Sequence, residues 1–250
     1  MKRLLIFLVL SGVLQASGSS PQQLLKEAND AYARSEYKYA ITLYEQVLEK
    51  DLVAAQLYYN LGNAYFKNNQ MGPAILNYER ALMLTPFDEN VRHNLQVAQS
   101  RIIDKPSQRP LLFYEKWLKA AYMMQSVNGW AITAIVVTSL FLLATALYLF
   151  SKTVGIKKLS FYSALLLLLL SVLSMVFARK QYNRLTSNSE AIVMQTRVTA
   201  KSSPSVQSPD LFLMHEGTKV TVRNDLTDWY EISLPDGSVG WVKNETIEII

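Results

Sequence analysis

The 250-residue chain has no cysteine, which excludes disulfides, thiolate metal sites, cysteine nucleophiles and a lipidated N-terminal cysteine. Histidine is nearly as scarce. His93 and His215 stand far apart, and neither falls at metal-ligand spacing. No glycine-rich phosphate loop occurs. Ser202, Ser203 and Ser205 have no histidine near them in sequence, while Glu45, Glu49 and Asp51 read as a solvated helix face. These absences argue against an enzyme, so no catalytic, metal or cofactor residues are expected. Charge is also missing from residues 130–150 and 159–178, two apolar runs of about twenty residues each. The net charge of +5 is modest, and lysines and arginines flanking those runs explain it better than a nucleic-acid partner does.

What is present begins with a spacing. Leu61, Gly62, Tyr65, Ala74, Tyr78, Ala81 and Pro86 stand where a helical hairpin needs small contacts, large fillers and a terminating proline. This is the spacing of a tetratricopeptide repeat. One period earlier, Ala28, Ala40 and Tyr44 occupy the positions of Gly62, Ala74 and Tyr78, in a degenerate unit that starts at Pro21. Residues 88–103 read as one more helix, with Asp88 as N-cap and Val91, Leu95 and Ala98 along one stripe. Residues 21–103 are therefore expected to form an all-α tetratricopeptide solenoid of about two and a half repeats. The concave face of such a stack comes from the first helix of each unit. On that geometry it carries Asn29, Tyr32, Tyr59, Asn63, Phe66 and Asn90, a set suited to an extended segment or helix of a protein partner. Leu25 stands where a carboxylate-clamp lysine would be expected, which disfavours that mode.

Residues 1–18 have a Lys2-Arg3 start, a short apolar run and small residues near Ala16, the layout of a secretory signal peptide. The alternative is an uncleaved N-terminal anchor. Residues 104–129 form a proline-punctuated linker and an amphipathic helix, with Trp117 and tyrosines suited to a membrane interface or to packing on the repeats. Residues 130–150 and 159–178 are expected to be a two-helix transmembrane hairpin, an anchor in contact with membrane lipid. The loop between them, residues 151–158, carries Lys152, Lys157 and Lys158 and favours the cytoplasm. Arg179, Lys180 and Arg184 pull the other way. The signal peptide breaks the tie, with both soluble parts expected in the periplasm and the spans in the inner membrane.

Residues 189–250 change texture to short alternating strands, five of them, around a strong Asp236-Gly237 turn. They are expected to form a small all-β barrel. Gly217, Trp229-Tyr230, Asp236-Gly237 and Gly240-Trp241-Val242 give this segment its resemblance to a bacterial SH3-like domain. Lys243, Thr246, Val193 and Gln195 depart from the proline-peptide-binding pattern. Trp229 and Trp241 are either a ligand surface, with peptidoglycan as the implied ligand, or packing residues of a small core.

Signal peptide, repeats, membrane hairpin and SH3-like barrel, in that order, make a multidomain membrane protein that resembles the Bacteroides aerotolerance protein BatE family. That resemblance implies a scaffold beside membrane proteins with von Willebrand A domains, a MoxR-type ATPase and other aerotolerance-operon products.

Overall fold

The computed structural model describes residues 20–50, 52–105, 112–186 and 189–250. The expected signal peptide and most of the proline-punctuated linker lie outside the described residues. The helical part consists of α1 (Pro21–Ala33), α2 (Tyr37–Leu48), α3 (Ala55–Lys67), α4 (Met71–Leu84) and α5 (Glu89–Arg101). Ser20 caps α1 reciprocally with Gln23, and Pro21 sits at its first turn, where a missing N–H costs nothing. Asp88 caps α5 by accepting from the Asn90 and Val91 amides.

The two hairpins close in the same way. Ser35 and Asn69 both adopt a left-handed backbone, at φ 62° and 64°, and each joins the first helix of its unit to the second. Gly62 permits the close approach of α3 to α4: a Cβ there would stand 2.8 Å from the Tyr78 ring. Ala28, Ala40 and Tyr44 are fully buried at the matching places of the first unit. α4 stops at Leu84, ahead of Pro86.

α6 (Phe113–Met123), α7 (Val127–Phe150) and α8 (Val154–Thr186) follow. By length and composition, α7 and α8 are long and apolar enough to cross a membrane. Small and hydroxyl side chains line their contact, with Thr138 Oγ1 and Ser171 Oγ 2.7 Å apart. The helices outrun the uncharged segments. α8 begins at Val154, so the connection is residues 151–153 rather than 151–158, and Lys157 and Lys158 sit in the first turns of α8.

The C-terminal part is a single antiparallel sheet of seven strands, not five. They are β1 (Glu190–Val193), β2 (Arg197–Lys201), β3 (Asp210–His215), β4 (Lys219–Leu226), β5 (Trp229–Ser233), β6 (Val239–Lys243) and β7 (Ile247–Ile249). The order is β3-β2-β6-β5-β4-β1-β7, with β3 and β7 at the edges. The expected barrel is therefore not closed. The β1 end of the sheet is covered by the solenoid instead, so wrapping is not needed to bury it. At the β7 edge, Arg80 donates to the Ile249 carbonyl at 2.8 Å.

β1 makes that cover. Ala191 and Val193 join the sheet's own core, whereas Ile192 enters the cluster formed by Ala74, Ile75, Leu76 and Val91. Polar contacts ring this apolar seam. Lys219 Nζ bridges Glu79 at 3.0 Å and Glu190 at 2.9 Å. Burial would lower the Lys219 ammonium, but the two carboxylates overcome that and hold it above its ordinary value. The Glu216 carboxylate accepts from the Gly72 amide at 2.8 Å, capping α4, which has no side-chain cap of its own. Gly217, at φ 86°, lets the turn press on the helices, since a Cβ there would lie 2.7 Å from Ile102.

Asp104, just past α5, accepts from the His215 amide at 2.7 Å, from Thr218 Oγ1 at 2.8 Å, and pairs with His215 Nδ1 at 3.0 Å. Burial alone would raise its carboxyl; the His215 and Thr218 hydrogen bonds outweigh that and hold it below the usual carboxylate range. A depressed folded-state value adds stability above the unfolded value and loses it as pH falls through the folded one. Thermal unfolding of the full chain in detergent should therefore show a stability loss below about pH 4. The Asp104→Asn variant should start about 1–2 kcal/mol lower at neutral pH and lose less across that acid window. Identical acid profiles for the two proteins would remove this contact from the account.

Candidate protein-binding groove

The concave side of the solenoid is built from α1, α3 and α5. A cavity of about 320 Å³ is lined by Tyr32, Tyr59, Asn63, Phe66, Tyr78 and Asn94, with Lys67 and Val97 at its border. A smaller one of about 130 Å³ adjoins it at Asn29, Tyr44 and Asn60, sharing Tyr32 and Asn63.

Two identical polar rungs hold this face. In the first, Asn29 Oδ1 accepts from the Tyr44 hydroxyl at 2.7 Å and from Asn60 Nδ2 at 3.2 Å. In the second, Asn63 Oδ1 accepts from the Tyr78 hydroxyl at 2.8 Å and from Asn94 Nδ2 at 2.8 Å. Each member of the second rung follows its counterpart by one repeat of about 34 residues. Each rung ties three helices together: α1, α2 and α3, then α3, α4 and α5. Burial, followed by the neighbouring Tyr32, pushes the Tyr44 phenol up to about 12. Burial also raises Tyr78, aided by Tyr59 and Tyr32. Both phenols thus remain protonated donors at neutral pH.

The rungs occupy the asparagine carbonyls twice over. That leaves the Asn29 and Asn63 amide N–H groups as the polar face of the groove, with Tyr32, Tyr59 and Phe66 as its apolar face. The Arg101 guanidinium lies 4.4 Å from the Phe66 ring centroid and props it from α5. No carboxylate lines either cavity among the described residues. Such a surface offers donors and ring faces, which suits the carbonyls and apolar side chains of an extended segment.

Of the residues expected on this face, the structure brings together Asn29, Tyr32, Tyr59, Asn63 and Phe66. Asn90 is not among them. It sits in the first turn of α5, exposed, with its amide bound to Asp88, and lines neither cavity. Asn94, one turn on, takes that place. The sequence reading also passed over Tyr44, Asn60, Tyr78 and Asn94 as polar partners, although their shared period was visible. Leu25, at the place of a clamp lysine, packs against the core of the first unit.

The two sheet tryptophans are not core residues. β5 alternates, with Tyr230 and Ile232 directed to the core and Trp229 and Glu231 to the opposite face. Trp241 pairs with Glu231, and Trp229 with Lys243, so both indoles share that outer face as diagonal neighbours, each half-buried. His93 is exposed on α5, and no cluster of three or more metal-ligating side chains occurs among the described residues.

Tyr44→Phe and Tyr78→Phe should each lower stability by about 1 kcal/mol, because each leaves a buried ring without its hydroxyl donor. The double variant should lose nearly the sum, since the rungs share no residue. Thermal unfolding of the full chain checks both numbers.

Comparison with known families agrees with the two soluble parts. A family model for the tetratricopeptide repeat matches residues 55–88, which span α3, α4 and the N-cap of α5. A model for the bacterial SH3 domain matches residues 197–248, from β2 into β7, leaving β1 outside the match. No curated protein matches the chain. The chain thus carries a tetratricopeptide repeat and a bacterial SH3 domain.

Proposed function

We propose that this chain is a membrane-anchored scaffold of the bacterial cell envelope that holds partner proteins in its tetratricopeptide groove and acts by binding rather than catalysis. The observation that carries this reading is the pair of Asn–Tyr–Asn rungs. They fix a donor-rich, aromatic surface and leave it open. Repeats of this kind serve protein–protein contacts, and the groove is extended and free of carboxylates among the described residues, which suits a peptide segment.

The anchoring rests on α7 and α8, and the side of the membrane on topology. The solenoid and the sheet pack directly on each other, although the two helices lie between them in sequence. Two crossings would return the chain to its starting side, and the contact between solenoid and sheet supports that reading. The short Lys152 connection then faces the cytoplasm and both soluble parts face the periplasm of an inner-membrane protein, consistent with a signal peptide at residues 1–18. The order of parts supports membership of the BatE family. On that reading the groove's partners are membrane proteins with von Willebrand A domains in an aerotolerance complex.

Crosslinking in intact cells followed by mass spectrometry tests this. Tyr59→Ala with Phe66→Ala should cut partner recovery about thirtyfold, the scale of two lost anchor rings, in a chain that is less stable but still unfolds cooperatively, because both rings pack on the repeat core. Undiminished recovery by the folded double variant would sink the groove assignment.

A second reading has its own observation. Trp229 and Trp241 lie half-buried on the sheet's outer face, in a domain of the bacterial SH3 type, and that face is proposed to touch peptidoglycan. Detergent-solubilised full chain should sediment with purified sacculi, and Trp229→Ala with Trp241→Ala should release it. A chain that stays in solution from the start excludes this reading and leaves the scaffold alone.

A further inference from the structure

α6 ends against the membrane hairpin. The Trp130 indole N–H donates to the Tyr122 carbonyl at 2.8 Å, and Lys180 Nζ lies 4.9 Å from the Tyr122 ring centroid. Between α6 and the last turns of α8 opens a cleft of about 440 Å³, lined by Tyr114, Glu115, Leu118, Lys119, Tyr122 and Lys180.

The charges in this cleft are unbalanced. Glu115 is its one carboxylate, and it is engaged in capping α6, accepting from the Leu112 amide at 3.0 Å. Neither Lys119 nor Lys180 is in an ion pair among the described residues. The cleft therefore holds two lysines without a carboxylate partner among the described residues, one on α6 and one on α8, with Lys180 set over the Tyr122 ring.

What lies beside the cleft names the occupant. Phe113 and Trp117, on the adjacent arc of α6, are 73 % and 76 % exposed. Large rings that stand free on an amphipathic helix, continuous with long apolar helices, belong at the boundary of headgroups and acyl chains. On α8, Val176 and Val172 fall on the same face as Lys180 at successive helical turns and are exposed. An apolar track thus leads from the two lysines along the hairpin. A molecule that matches it needs an anionic head and an acyl tail.

We propose that this cleft binds the headgroup of an anionic phospholipid. Lys119 and Lys180 hold its phosphate, Tyr114 and Tyr122 border it, and its acyl chain follows Val176 and Val172. The inference rests on the membrane-anchored reading above and adds a specific lipid site to it.

Native mass spectrometry of the full chain, released from detergent with equal phosphatidylglycerol and phosphatidylethanolamine, tests the site. Phosphatidylglycerol adducts should dominate by a factor on the order of ten, from two lysines at a headgroup. Lys119→Ala with Lys180→Ala should bring the two lipids to parity. The charge-keeping pair Lys119→Arg and Lys180→Arg should retain the preference, which separates charge from folding. Lys152→Ala with Lys157→Ala and Lys158→Ala, at the opposite end of the hairpin, should leave it unchanged. Parity in the unaltered chain, or loss only in that opposite-end variant, overturns the proposal. Displacement of the lipid by inorganic phosphate would overturn it too, marking a site for a free anion. Carbonate extraction separates the two readings. A chain that stays in the membrane without lipid preference overturns the cleft alone, whereas a released chain overturns the anchoring as well.

Discussion

Ala191 and Val193 lie on one side of β1, Ile192 on the other, and all three are fully buried. A strand with apolar residues on both faces needs a cover on each, and a single small sheet can provide only one. The solenoid provides the other. Burying one isoleucine is worth roughly 1.5–3 kcal/mol, and the same seam takes in Met194 and Ile250 beside Ile75 and Leu76. α4 answers in kind. Gly72 and the run from Ala74 to Tyr78 are buried, because one side of α4 meets its own repeat and the other meets the sheet. The apolar term brings these surfaces together but does not fix their register. The ring of Lys219, Arg80, Glu216 and Asp104 does, since each, half-buried at the seam, must reach a defined atom or lose its partner.

This contact determines which surfaces stay available. The sheet takes the second-helix side of the last repeat, and the groove lies on the first-helix side, so the two do not compete. Glu216 also supplies α4 with the N-terminal cap that Gln70 fails to give, so the helix carrying Tyr78 depends on the sheet for one of its ends. Tyr78 in turn holds Asn63. A path of hydrogen bonds and one helix therefore connects the turn at Glu216 to a groove asparagine. Because the solenoid and the sheet pack on each other, the intervening helices leave this body and return to it.

Much of this was legible in the chain, and the failures have physical causes. Gly62, Ala74 and Tyr78 read correctly because a repeat writes its contact geometry at a fixed period. Asp88 read correctly because N-caps are local chemistry. Asn90 misled because the extrapolated register was one turn short on α5, and only the Asn60-to-Asn94 interval would have corrected it. Closure of the barrel was expected because covering a sheet by wrapping is the usual solution. A cover supplied from more than a hundred residues away leaves no local mark beyond the unalternating run Ala191–Met194. β2 and β3 escaped because Arg197, Lys201 and Asp210 blur their alternation. The helices run past the uncharged segments because charge does not end a helix; lysine and arginine, as at Lys157 and Arg179, are good helix formers.

The two open faces of the packed body differ in chemistry, and that difference bears on what the body does. The groove displays amide donors between rings and has no carboxylate, whereas the outer face of the sheet sets two indoles among Glu231, Lys243 and Lys201. A single ligand type would not suit both. On the proposed reading, two faces of unlike chemistry on one packed body, tied to a hairpin of apolar helices, suit two different ligands held at a set separation. Flexible linkage would serve simple tethering equally well. A tether would not need the buried seam at Ile192 or the ion pairs around it, so this packing favours the reading in which the spacing of the two faces matters.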